Sequence, residues 1–156
     1  MKLLFGLFLV IFVVILQVTI LPIFFKNIIP ELLLILVFLA RFVSPSGRVL
    51  AYALFGGVLV DVVSGGIVGS TSFILLVALF ASQIFSASFK FSILQMALFI
   101  MLSSATLRII SLHSLAYPKL ILAGSLTDTL IFLILFPISK WLIELLYGRR
   151  MEDILT

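Results

Sequence analysis

Apolar residues run along this chain in long blocks, and polar residues fall in short clusters between them. A helix that crosses a bilayer needs about 20 predominantly apolar residues, within a range of roughly 17–25. The first block, residues 3–25, meets that length and closes at Lys26-Asn27. A second opens at Pro30-Glu31, a good helix start because Pro suits the first turn and an acid complements the N-terminal dipole. It reaches residue 44 if Arg41 snorkels. The turn Ser44-Pro45-Ser46-Gly47 leads to a third block over 48–63, which Ser64-Gly65-Gly66 ends. Blocks over 67–86, 91–112 and 118–147 follow, the last interrupted by Pro137, and residues 148–156 form a polar tail. Transmembrane strands alternate polar and apolar residues. These blocks are apolar all round, so the pattern predicts an all-α polytopic bundle of about six transmembrane helices in a single domain, 1–156. The two short blocks, 30–44 and 48–63, fit two full spans or one re-entrant hairpin, and the charges at their ends favour spans.

Composition strengthens this reading. Hydrophobic residues make up 64% of the chain and charged residues 10%, against about half and a quarter in soluble domains. A soluble domain of this size leaves roughly a third of its chain surface wet and could not hide so much apolar area. The start, Met1-Lys2 and then an apolar run, superficially resembles a secretion signal. The run exceeds the roughly 7–15 residues of a signal core and no small-x-small cleavage site follows, so it is read as a retained first helix. There is no Cys, hence no disulfide framework or thiolate metal site.

The net charge of +4 comes from basic residues scattered singly between apolar blocks. Without a basic stripe, nucleic acid is not an expected partner; membrane orientation is the better use of the charge. With six spans and a cytoplasmic N-terminus, Lys2, Arg41, Arg48, Lys90, Lys140, Arg149 and Arg150 fall inside, and Lys26 and Lys119 outside. That excess predicts both ends in the cytoplasm. Trp141 and Tyr147 then lie at the inner interface and Tyr117 at the outer one, as an aromatic belt requires. With loops of only a few residues, most surface open to a partner lies within the lipid.

Intramembrane charges are costly, and so tend to be paired or functional. Asp61 falls near the outer end of the third block, Arg108 about a turn from the outer end of the fifth, and Asp128 ten residues into the sixth. At 1.5 Å per residue Asp128 is roughly 15 Å deep, near the midplane. The similar depth of Asp61 and Arg108 suggests an ion pair between them. It serves either an ion, proton or ligand site or simple helix packing, and Asp61 alone could instead cap a helix end. Asp128, with Ser125, Thr127, Thr129 and Gly124 nearby, reads either as a transport or proton-relay site or as a protonated acid bonded to a neighbouring helix. Gln17, near Thr19, suits bonding across helices. Small residues at Ala53 and Gly57, and at Ser103, Ser104 and Ala105, form close-approach faces for another helix of the bundle or of a partner. Gly65 and Gly69 match GxxxG, but flank a turn. No P-loop, GxGxxG or HExxH occurs, and His113 is the sole His. Asp61 and Asp128 are the one candidate acid pair and differ in depth. No enzyme activity, metal or cofactor is therefore expected.

Two stretches also carry a family resemblance. Ile29-Pro30-Glu31-Leu32-Leu33-Leu34-Ile35-Leu36 resembles the P-[DE]-L-L-L start of the second helix in the rod shape-determining MreD family. Gly56-Gly57-Val58-Leu59-Val60-Asp61 resembles that family's GhhxD, followed as there by Ser64-Gly65 and Gly69. Gln17 and Pro22 also stand where such sequences often have Gln and Pro. The likeness covers most of residues 10–85; the rest matches only in hydropathy and length. It implies a non-enzymatic inner-membrane subunit of the bacterial cell-elongation machinery. Such a subunit scaffolds a bitopic MreC-like partner and, with MreB and the RodA–transpeptidase pair, helps direct lateral peptidoglycan synthesis. It also implies a fold similar to the six-helix substrate-binding subunits of energy-coupling-factor transporters. The alternative function is then a small-molecule-binding membrane subunit of a vitamin-type transporter.

Overall fold

A computed structural model describes residues 2–25, 29–43, 46–88, 93–111 and 118–147. Lys26, Asn27, Lys90, His113, Tyr117, Arg149 and Arg150 lie outside the described residues. The elements are α1 (Lys2–Ile15), a π-helical turn (Leu16–Ile20), α2 (Leu21–Phe24), α3 (Leu32–Val43), α4 (Ser46–Ser64), α5 (Ser70–Ser88), α6 (Ile93–Ser111) and α7 (Pro118–Tyr147). Among the described residues there is no strand, and the chain is an all-α polytopic membrane protein.

Four stretches are long and apolar enough to cross a bilayer: Leu4–Phe24, Gly47–Ser64, Ile93–Ile110 and Pro118–Trp141. Two shorter apolar stretches, Leu32–Arg41 and Ser70–Phe85, complete the bundle. The six apolar blocks thus become helices, with shifted edges. The second helix starts at Leu32, two residues after Pro30. The fourth starts at Ser70 because Ile67 and Val68 belong to a turn closed by Gly65 (φ 71°) and Gly69 (φ 94°). Gly65 ends α4 in a Schellman arrangement, with the Gly66 N–H bonded to the Asp61 carbonyl at 2.9 Å. Pro137 sits inside α7 without ending it.

α3 lies at the centre. It packs against α1, α4, α6 and α7, and Leu33, Leu34, Ile35, Val37 and Phe38 are fully buried. At 12 residues it is roughly 18 Å long, too short to reach both faces of a roughly 30 Å hydrocarbon core. Being enclosed by protein, it does not need to. Around it, α4 pairs with α5 and α6 with α7.

The distribution of polarity is that of a protein in lipid. Large apolar side chains cover the outside: Phe5, Phe8, Phe24, Phe73, Leu94 and Ile134 are all mostly exposed. The buried residues include Gln17, Asp61, Asp128 and five serines. In water an apolar exterior of this extent would drive aggregation; in a bilayer it is the solvated surface.

The small-residue faces are used inside the bundle. Ala53 is fully buried. A Cβ on Gly57 would fall 2.5 Å from the Ser72 backbone nitrogen, so Gly57 is where α4 and α5 touch. Ser72 Oγ donates to the Leu54 carbonyl across the same contact (2.8 Å). Ser103 and Ser104 are buried, and Ala105 is half-buried. Helices pack this closely only where small residues admit the neighbouring backbone.

Candidate functional site

Two helix starts and one ion pair organise the polar interior. The first amide groups of a helix have no partner within it, and in hydrocarbon no water can serve them. α3 begins after Glu31 and α5 after Gly69, and in both cases a side chain from another helix supplies the acceptor.

At the start of α3, Gln17 Oε1 accepts the Leu33 N–H at 2.9 Å. The other end of the same amide, Nε2, donates to Glu31 Oε2 at 2.7 Å. Gln17 lies in the π-helical turn, where the Leu21 N–H bonds back to Leu16. A single wider turn of this kind rotates the following side chains relative to a regular helix, and such turns are frequent at functional sites. Asp128 reaches the same place from α7: its Oδ1 accepts the Glu31 N–H at 2.8 Å.

Asp128 Oδ2 carries the ion pair. Arg108 Nη2 lies 2.9 Å away and also donates to the Ile29 carbonyl at 2.7 Å. Ser104 Oγ donates to the same Oδ2 at 2.5 Å and accepts Arg108 Nε at 3.3 Å. Asp128 is wholly buried, and the Arg108 side chain is 11% exposed. The guanidinium lies over Gly124, where a Cβ would come within 2.4 Å of its central carbon. One network therefore ties the first helix, α3, α6 and α7 together.

The expected Asp61–Arg108 pair does not form. α6 packs along α7, and that contact brings Ser104 and Arg108 to Asp128. Depth pointed to Asp61, but which helices are adjacent decides the pairing. Asp61 instead caps α5. Its Oδ2 accepts the Gly69 N–H at 2.7 Å and the Thr71 N–H at 3.2 Å, and its Oδ1 accepts the Thr71 hydroxyl at 2.5 Å. Glycine at position 69 has no side chain for the task, so α4 provides it. Of the readings open for Asp61, the helix-end cap is what the geometry contains.

Three further placements differ from expectation. The hydroxyls of Ser125, Thr127 and Thr129 bond back to carbonyls of their own helix, at 2.8 Å each; the hydroxyl serving Asp128 comes from Ser104. Arg41 does not simply reach for the interface: it donates to the side chain of Ser82 and to the Leu79 and Ser82 carbonyls of α5. Glu31, expected only as a helix-start signal and a motif residue, is a full member of the network. Its legible signal was an acid beside a proline at the start of an otherwise apolar helix.

A cavity of about 410 Å³ lies against this network. Gln17, Glu31, Asp61, Thr71, Leu107 and Ile110 are among its walls. It brings together the end of the first helix, the start of α3, the α4–α5 turn and the end of α6. All four lie at one end of the bundle, as helices alternating in direction require. Among the described residues no group of three His, Cys, Asp or Glu could hold a metal ion.

Compared with known proteins, the chain matches no family model, no curated protein and no solved structure.

Proposed function

We propose that this chain is a non-enzymatic subunit of the bacterial cell-elongation machinery, of the MreD type, that scaffolds a bitopic MreC-like partner in the cytoplasmic membrane. The observation that carries the reading is the convergence of its motif residues. Gln17, Glu31 and the Asp61 of the Gly-rich stretch lie far apart in sequence, yet they line one cavity, and Gln17 and Asp61 hold the starts of two helices. Fragments with a shared structural task support the likeness more than separate apolar strings would. In this reading both termini are cytoplasmic, and the elongation complex of MreB, RodA and its transpeptidase is the wider partner.

A partner helix would meet the outer faces, since Ala53, Gly57, Ser103 and Ser104 are enclosed. The cavity favours a second reading, a small-molecule-binding subunit of a vitamin-type transporter. Copurification of the tagged chain from its native membrane separates the two. The scaffold reading expects a single-span partner in the eluate and loss of rod shape on depletion. Normal shape on depletion, with a vitamin-like molecule and no single-span partner in the eluate, overturns it.

A further inference from the structure

Two carboxyl groups, those of Glu31 and Asp61, line the cavity, and the Arg108–Asp128 pair is bonded into the same network through the Glu31 N–H. The hydrogen bonds show which carboxyl oxygen is open to the cavity. Asp128 Oδ1 accepts one bond and Oδ2 two. Both oxygens of Asp61 are held by the α5 start. Glu31 Oε2 accepts Gln17, while Oε1 accepts no hydrogen bond, although no buried side-chain oxygen among the described residues lacks one. Glu31 Oε1 is therefore the carboxylate oxygen left open on the cavity wall.

The surroundings select the kind of cation. A metal ion needs several oxygens at once, six to eight for calcium, and one open carboxylate oxygen does not supply them. An ammonium group needs only a few acceptors. Much of the remaining wall is apolar, with Val18, Val60, Leu107 and Ile110 prominent. The volume, about 410 Å³, falls within the roughly 300–1,000 Å³ usual for small-molecule sites. We propose that this cavity binds a small organic ammonium compound, with its cationic head on Glu31 Oε1 and its apolar body against Val18, Val60, Leu107 and Ile110. The site stands whether or not the chain scaffolds a partner.

The test uses the full chain in phosphatidylcholine nanodiscs, with empty nanodiscs as the baseline for lipid partitioning. Ligand-detected NMR follows 2-phenylethylammonium, 2-phenylethanol and 3-phenylpropionate, each with and without sodium chloride. The expected result is saturable binding of the ammonium compound alone. Its affinity should fall at least tenfold in Glu31→Gln, which keeps an acceptor for Gln17, and be lost in Val18→Phe, which fills the cavity and leaves the charge. Circular dichroism and gel filtration report whether each variant folds. If Glu31→Gln does not fold, Val18→Phe decides by itself, and retained binding there overturns the site. Equal binding of the alcohol, unchanged affinity in Glu31→Gln, or no saturable binding overturns the proposal. Competition by sodium at equimolar concentration assigns the site to an inorganic cation and overturns it too.

Discussion

Arg108 illustrates how much one buried side chain can organise. It joins α6 to α7 through Asp128 and reaches the segment before α3 through the Ile29 carbonyl. Removing one partner of such a pair leaves the other charge desolvated, at a cost of about 3–5 kcal/mol. Arg108→Leu should therefore lower the unfolding free energy by about that amount in a steric-trapping measurement. The double variant Arg108→Leu/Asp128→Leu should be damaged less than Arg108→Leu alone; a double variant worse than either single would argue against the pair. Gly124→Ala tests the same geometry from the other side. The added methyl would meet the guanidinium at 2.4 Å, and overpacking of this kind costs about 1–3 kcal/mol. Because the clash is with Arg108 itself, Gly124→Ala should cost little in the Arg108→Leu background, a non-additivity that a double-mutant cycle measures.

At the scale of elements, the bundle's short helices depend on acceptors from their neighbours. Asp61→Ala removes the side chain that bonds the Gly69 and Thr71 amides. Loss of an N-cap costs about 0.5–2 kcal/mol. The damage should be local: faster amide hydrogen exchange over Gly69–Thr71, with the centre of α5 unaffected. Uniformly faster exchange along α5 would contradict a capping role. The α4–α5 contact fails differently. Gly57→Leu drives a side chain into the Ser72 backbone, which cannot swing aside. A loss of about 1–3 kcal/mol or more should appear as separation of a crosslinkable Cys pair across the two helices.

The molecule as a whole presents an apolar exterior around a polar interior, with the cavity at one end. The excess of basic residues predicts that this end faces away from the cytoplasm. Ile67 lies exposed in the α4–α5 turn at the cavity end, and Gly47 lies exposed at the opposite end of α4. A Cys at Ile67 should react with an impermeant reagent in intact cells, and a Cys at Gly47 only after permeabilisation. The reverse pattern would invert the orientation. A partner helix should meet the lipid-facing surface. Photocrosslinking residues at Phe8, Phe73 and Leu122, all outward, should capture it from at least one face. Capture from none would count against a helix partner.

Hydropathy along the chain sufficed for the class of fold, because an apolar block of spanning length has few other stable states and because lipid permits no unpaired backbone. It also marked Gln17, Asp61, Arg108 and Asp128, since an intramembrane polar group stands out against its neighbours. It could not assign their partners. Asp61 and Arg108 fall at matching depths, but depth is one coordinate, and pairing depends on which helices are adjacent and how each is rotated. That is settled by packing: α6 beside α7 delivers Arg108 to Asp128, and the turn at Gly65–Gly69 folds α5 back so that its amides reach Asp61. The use of the small residues was hidden for the same reason. Gly57 reads alike whether it admits a partner or α5, and only the position of Ser72 distinguishes them. Glu31 shows the limit most clearly. In sequence it is an acid at a helix start; its place beside a cavity, with one oxygen bonded to Gln17 and the other open, exists only once the π-helical turn, α3 and α7 are assembled, because hydrogen bonds between distant segments are set by the tertiary arrangement and not by spacing along the chain.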